Sequence, residues 1–267
     1  MIRRDDQAKE GRQPVSLVEY SLARPGIALL TLNRPHRLNA FNIRMLREFR
    51  DALHGFDLDS DAAVAVVHGQ GRAFCSGVDV DDLAAMKSRA DFDSLREMQS
   101  ISHLLFSSIN WKPVIAAVHG YVLGMALEFV FQTDYVVADM RTRFQVSETN
   151  VGVSSGLIWP ILAHRGTASF ASDVCMSGRF FDPLEAKEGG LVSAIAPSEL
   201  AGLDTALNKA EQLARLPRES VRYNVQVARH YAMQYVEPAL LFSEANFHLT
   251  PEPRHVTLST GRSTEND

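Results

Sequence analysis

A chain of 267 residues with 46% hydrophobic and 22% charged residues has room for one sizeable apolar core, as in ordinary soluble globular proteins. A formal net charge of −5 gives no basic footprint for nucleic acid or an anionic membrane, and no uninterrupted apolar run reaches the ~18 residues of a membrane span. Two distant cysteines, Cys75 and Cys175, without CxxC spacing, suggest neither a disulfide framework nor a structural metal and point to a reduced, cytoplasmic setting.

The opening stretch MIRRDDQAKEGRQP turns acidic after its arginines and leads into no apolar h-region, so residues 1–14 are predicted to be a disordered leader and not a secretory signal. GIALLTLNRP is rich in β-formers and stops at Pro35. In NIRMLREFRDALHGF, Ile43, Leu46, Phe49 and Leu53 recur at helical steps, with Asn42 available as the cap. AAVAVVHG follows as a strand apolar on both faces, the pattern of a sheet covered on both sides. It runs into GQGRAFCSGVDVDDL, and a further helix is predicted to end near Asn110. WKPVIAAVHG repeats the buried strand and turns at Gly120. LGMALEFVFQTD then reads as a helix apolar nearly all round, and YVVAD as a third short buried strand. The repetition of strand, glycine loop and helix predicts an α/β architecture, with ligand sites in the loops at the carboxyl ends of strands. Residues 15–197 form the expected core, residues 198–250 a mainly helical region, and residues 251–267 a frayed tail.

Two loops carry a chemical signature. Cys75-Ser76-Gly77 and Leu123-Gly124-Met125 place small residues where an apolar strand gives way to a helix. Backbone N–H groups there have no intrahelical acceptor and sit in the positive field of the helix dipole, so a pair of them can hold an oxyanion. Each loop alone is ordinary turn chemistry. Two acids stand in the same region: Glu128, flanked by Ala126, Leu127, Phe129 and Val130, and Glu148. Asp79 is placed to cap the helix after it. The group Asp79, Asp81 and Asp82 lacks the other ligands of a calcium loop, and the nine histidines form no HExxH or close cluster, so no metal is expected. His119 reads as a packed or backbone-bonded histidine. There is no GxxxxGK[ST] loop, no complete dinucleotide fingerprint and no GxSxG elbow.

In series, LTLNRPHRLNAFN, RAFCSGVDV, KPVIAAVHGYVLGMALE and FQVSETNVGVSSG resemble the enoyl-CoA hydratase/isomerase, or crotonase, superfamily over residues 15–197. The resemblance implies a ββα spiral core, a C-terminal helical trimerisation region, a homotrimer or dimer of trimers, and acyl-CoA thioester substrates. It implies no cofactor beyond the coenzyme A of the substrate. Position by position, it puts the oxyanion-hole N–H groups on Ser76 and Met125. It sets Gly77, Val78, Asp79 and Gly124 along the acyl-CoA path and Arg37 near the CoA nucleotide. Glu128 and Glu148 match the two glutamates with which family hydratases handle one water molecule, one acting on the water and one on the proton at the α-carbon.

Departures are also visible. LGMAL stands where many hydratases have LGGG, and Val146-Ser147 where Gln-Pro is usual. ETNVGVSSG resembles a branch acting on hydroxycinnamoyl thioesters, which generally lacks an acid at the position of Glu128. The C-terminal segment has no match to the family's usual ending, so no CoA phosphate contact is assigned there. The resemblance implies hydration of a trans-2-enoyl-CoA; the alternatives are Δ3,Δ2-enoyl-CoA isomerisation, another crotonase-type acyl-CoA lyase activity, or a non-catalytic acyl-CoA-binding paralogue.

Overall fold

The computed structural model describes residues 15–85, 109–152 and 154–246. The predicted leader (1–14), most of the helix expected to end near Asn110, and the tail (251–267) lie outside the described residues. Six strands form the main sheet in the order β1 (Val18–Arg24), β2 (Gly26–Leu32), β3 (Ala62–Gly69), β4 (Val114–Val118), β6 (Tyr135–Asp139) and β9 (Ala194–Ala196). Among the described residues of this sheet only the β1–β2 pair is antiparallel. A second sheet of three short strands, β5 (Tyr121–Leu123), β7 (Arg143–Gln145) and β8 (Phe180–Phe181), lies beside it.

The chain passes repeatedly from the main sheet to the small one. After β4 it turns at Gly120 into β5 and then enters helix α3 (Met125–Val130); after β6 it turns into β7. The stretch following β3 does the same through a bridge between Cys75 and Val122, and then enters α2 (Val80–Ala85). This repeated strand, strand, helix step is a ββα spiral, and it stacks the Cys75–Val78 stretch against β5. Gly120, at φ 58°, permits the tightest of these crossings, because a Cβ there would lie 2.1 Å from the Arg72 carbonyl oxygen.

Packing follows from side chains alternating between the two sheet faces. Ala65 and Val67 of β3, Ala116 and Val118 of β4, and Val136 and Ala138 of β6 join one apolar cluster with helix α1 (Ile43–Leu58). Their alternates, Val64 and Val66, Ile115 and Ala117, and Val137, face Ala206 and Ala210 of helix α7 (Glu199–Ala214). The start of the C-terminal helical region is thus part of the core of the sheet. α1 forms as its pattern predicts: Asn42 accepts from the Met45 N–H, and Met45, Leu46, Phe49, Leu53 and Phe56 are buried. α3 is shorter than predicted; after Val130 the chain turns, with the Thr133 hydroxyl bonded to the Val130 carbonyl. Among the described residues the remaining α-helices are α4 (Ile158–Arg165), α5 (Ala168–Ser177), α6 (Pro183–Glu188) and the long α8 (Arg218–Asn246). Among the described residues no helix is long and apolar enough to cross a membrane.

Candidate active site

The spiral brings the two glycine loops into contact. Cys75 donates to the Tyr121 carbonyl and accepts from the Leu123 N–H, each at 3.1 Å. Gly77, at φ 88°, packs so closely that a Cβ would sit 2.7 Å from the Leu123 carbonyl oxygen and 3.6 Å from the Met125 nitrogen. Glycine is required there by both contact and backbone sign.

The first N–H expected to serve as an oxyanion donor is already engaged. The Ser76 N–H is already donated to the Leu38 carbonyl at 3.0 Å. Two residues on, a parallel bridge between Phe41 and Val78 uses the Gly77 carbonyl and the Asp79 N–H, so the N–H of Val78 itself points away from Phe41. Among the described residues the N–H groups of Val78 and Met125 meet no acceptor. Met125 is the first residue of α3, where an open N–H is expected. The available pair is therefore Val78 and Met125, and Ser76 anchors the loop.

Glu148 is held against Gly124, the residue before Met125. Gly124, the N-cap of α3 at φ 52°, has its missing Cβ position 2.6 Å from Glu148 Oε1 and 2.9 Å from the Ser147 hydroxyl. The segment is pinned from outside: Gln145 and Asn150 side chains donate to the Gly178 carbonyl at 2.8 and 2.9 Å, and the Thr149 hydroxyl donates to that of Cys175 at 2.6 Å. Val146 is fully buried, and the carboxylate turns inward with Oε2 buried and without a hydrogen-bond partner. Burial pushes the Glu148 pKa up to about 7, against smaller opposing effects from backbone hydrogen bonds and the Ser147 hydroxyl. The Val146-Ser147 departure thus leaves the acid oriented toward the Leu123-Gly124-Met125 loop.

Glu128 lies one turn into α3 and is half-buried. Residues four apart share a helix face, and the Cα–Cβ bond leans toward the helix N-terminus. Glu128 therefore rises from the same face as Gly124, about 6 Å along the axis from it, leaning toward the end where Glu148 lies.

Other expected site residues have different duties. Asp79 is buried: its Oδ2 lies 2.5 Å from Arg34 Nη1, and its Oδ1 accepts from the Asp81 and Asp82 N–H groups. Its carboxylate is committed to that ion pair and to capping α2. Arg37 is exposed and pairs with Asp81 at 2.5 Å. Asn39, absent from the expected site residues, is fully buried at φ 54°. It accepts from the Arg34 N–H and donates to the Gln70 and Ala73 carbonyls, tying the Pro35–Phe41 loop to the stretch before Cys75. Left-handed backbone at a side chain of this kind is favoured for asparagine, the available sequence signal. A cavity of about 260 Å³ lined by Asp57, Lys112, Arg218 and Arg222 opens near Ala63 and Pro113, at the opposite end of β3 and β4 from the oxyanion loops.

Residues 23–262 match a family model described as enoyl-CoA hydratase/isomerase. The chain is 32% identical over 212 residues to a 2,3-dehydroadipyl-CoA hydratase of Escherichia coli (strain K12), covering 78% of this chain and 81% of the relative. It is 33% identical over 192 residues to a protein of Rhizobium meliloti (strain 1021) named "Probable enoyl-CoA hydratase", covering 70% of this chain and 72% of the relative. An enoyl-CoA hydratase/isomerase structure from Mycobacterium paratuberculosis superposes with a TM-score of 0.78 at 22% identity, over 90% of this chain and 95% of that one, a likeness of fold.

Proposed function

The chain belongs to the enoyl-CoA hydratase/isomerase family, and from that premise we propose that it adds water across the double bond of a trans-2-enoyl-CoA to give the 3-hydroxyacyl-CoA. The observation that carries this reading is the buried Glu148 carboxyl, raised to about 7, packed against the residue that precedes the open Met125 N–H. A carboxyl of that kind holds a proton near neutral pH and can deliver it as a general acid.

In the proposed reaction the thioester carbonyl oxygen sits between the N–H groups of Val78 and Met125. Glu128 takes a proton from water while the water oxygen bonds to C3. The π pair moves toward C2, and the negative charge growing on the thioester oxygen is met by the two fixed donors, each worth roughly 3 kcal/mol in comparable sites. Glu148 gives its proton to C2. Water's oxygen and the Glu148 proton reach the same face of the double bond, which makes the addition syn. Solvent then returns the proton from Glu128 to Glu148. Nothing beyond these groups and the substrate's own coenzyme A takes part.

Other parts of the reading rest on single features. Tyr223, Val227, Tyr231 and Tyr235 recur at four-residue steps on α8 and are exposed, an apolar stripe suited to packing between copies in a trimer. Arg37, exposed on the Pro35–Arg37 turn, is assigned to the CoA nucleotide.

Loss of conjugated enoyl absorbance with crotonyl-CoA or a longer trans-2-enoyl-CoA tests the reaction. Hydration removes the absorbance. No change with these substrates, together with formation of the conjugated product from a 3-enoyl-CoA, would establish isomerisation instead. Binding of CoA esters with no turnover of either substrate would identify a non-catalytic paralogue.

A further inference from the structure

We infer that His68, His119 and Glu199 form a binding site for a divalent transition metal of the zinc class, on the face of the sheet opposite the proposed reaction. The three side chains each offer one ligand atom, and these atoms lie within 4.8 Å of one another. His68 Nε2 is 3.6 Å and His119 Nε2 is 3.7 Å from Glu199 Oε1, and the two rings lie 5.1 Å apart at a tilt of 34°. Metal bonds of about 2.0–2.1 Å at a tetrahedral angle place ligand atoms about 3.3 Å apart, so the two His–Glu distances must close by only about 0.4 Å. Two imidazoles and a carboxylate also make a zinc ligand set that leaves the fourth position to water.

Their place in the fold explains why the three converge. The two-residue period of β3 puts His68 on the face of Val64 and Val66, and the period of β4 puts His119 on the face of Ile115 and Ala117. That face is covered by α7, whose first residue is Glu199. The expectation that the histidines stay scattered fails here because β3 and β4 are adjacent in the sheet, a neighbourhood that chain spacing does not reveal.

The three groups do not satisfy one another. Both His–Glu distances exceed a hydrogen bond, and His119 Nδ1 is buried with no partner. His119 Nε2 lies 2.8 Å from the Gly71 carbonyl oxygen, so it is backbone-bonded as the sequence suggested, and coordination exchanges that bond for one to the metal. The nearby Arg141 is paired with Asp139 at 3.1 Å. Access is open through Glu199, whose side chain is 38% exposed. A metal here would clamp the start of α7 to the ends of β3 and β4, directly before the two stretches that carry the Val78 and Met125 N–H groups.

The test is titration of the purified full chain with Co²⁺, followed by its visible absorption, and with Zn²⁺ by calorimetry. The expected result is one equivalent bound, with the absorption of a four-coordinate cobalt site. His68→Phe, which keeps a buried ring, and Glu199→Gln, at an exposed position, should each weaken binding by about 100-fold or more, while the Glu128→Gln/Glu148→Gln double variant binds as wild type does. Circular dichroism identifies a misfolded His68→Phe, in which case Glu199→Gln decides. Absence of binding, or binding undiminished in a folded Glu199→Gln, would overturn the assignment.

Discussion

Replacing Glu148 by glutamine keeps the shape of the side chain and removes its ionisation. The carboxyl titrates near 4.5 in its ordinary state and at about 7 in the folded protein, because burial disfavours the charge. The native state therefore holds the proton to higher pH than the unfolded chain does. Stability from this group is complete below about pH 4.5 and is lost as the pH climbs from there through about 7, after which it levels off. At 1.36 kcal/mol per pH unit the loss is under ~1 kcal/mol at pH 5 and roughly 3 kcal/mol at pH 8. Glutamine is spared this loss. Relative to wild type, Glu148→Gln should gain roughly 2 kcal/mol or more between pH 5 and pH 8. Denaturant unfolding of both proteins at the two pH values, with equal m-values, gives the difference directly. Costs of glutamine unrelated to ionisation cancel in the comparison. An offset between variant and wild type that is the same at both pH values would refute the idea that the folded structure desolvates this carboxyl.

Four further outcomes follow from the same geometry. The pH profile of hydration, read as kcat/KM, should fall above about pH 7 as Glu148 loses the proton it must deliver; a rate still rising to pH 9 would contradict the general-acid role. Ser147→Ala should move that falling limb upward, because the Ser147 hydroxyl opposes the rise in the Glu148 pKa, and a shift downward would disprove the contact. Gly124→Ala places a methyl 2.6 Å from Glu148 Oε1 at a positive φ, so it should lower kcat by about 100-fold or more, and wild-type turnover would show that the carboxylate is not there. Asn39→Ala leaves the Arg34 N–H without its acceptor and should destabilise the fold by about 2 kcal/mol in denaturant unfolding; an unchanged midpoint would remove Asn39 as a tie between the loops.

The sequence made the buried strands and α1 legible because their signals are local. β3 and β4 are apolar runs, and the α1 stripe and Asn42 cap lie within a few residues of each other. β1 escaped notice since only Val18 of it is buried, which leaves an edge strand with almost no hydrophobic alternation. β5 and β7 are three residues each, too short to show a period. At the site, the two glutamates and the Met125 donor stood out through resemblance, whereas the choice between Ser76 and Val78 depended on partners far along the chain. Leu38 occupies one N–H, and the bridge to Phe41 turns the other away. The His68, His119 and Glu199 cluster was hidden for a similar reason: strand adjacency and α7 packing assemble it, and neither is written in the spacing.

The most direct test of the two-carboxylate account is steady-state hydration of a trans-2-enoyl-CoA by wild type, Glu128→Gln and Glu148→Gln, with CoA-ester binding measured alongside. Each single substitution should lower kcat by about 10²–10⁴-fold while binding persists, since each carboxyl handles a different proton of the same addition. Retention of near wild-type kcat by either variant would show that one glutamate suffices, and would contradict the proposed addition of water.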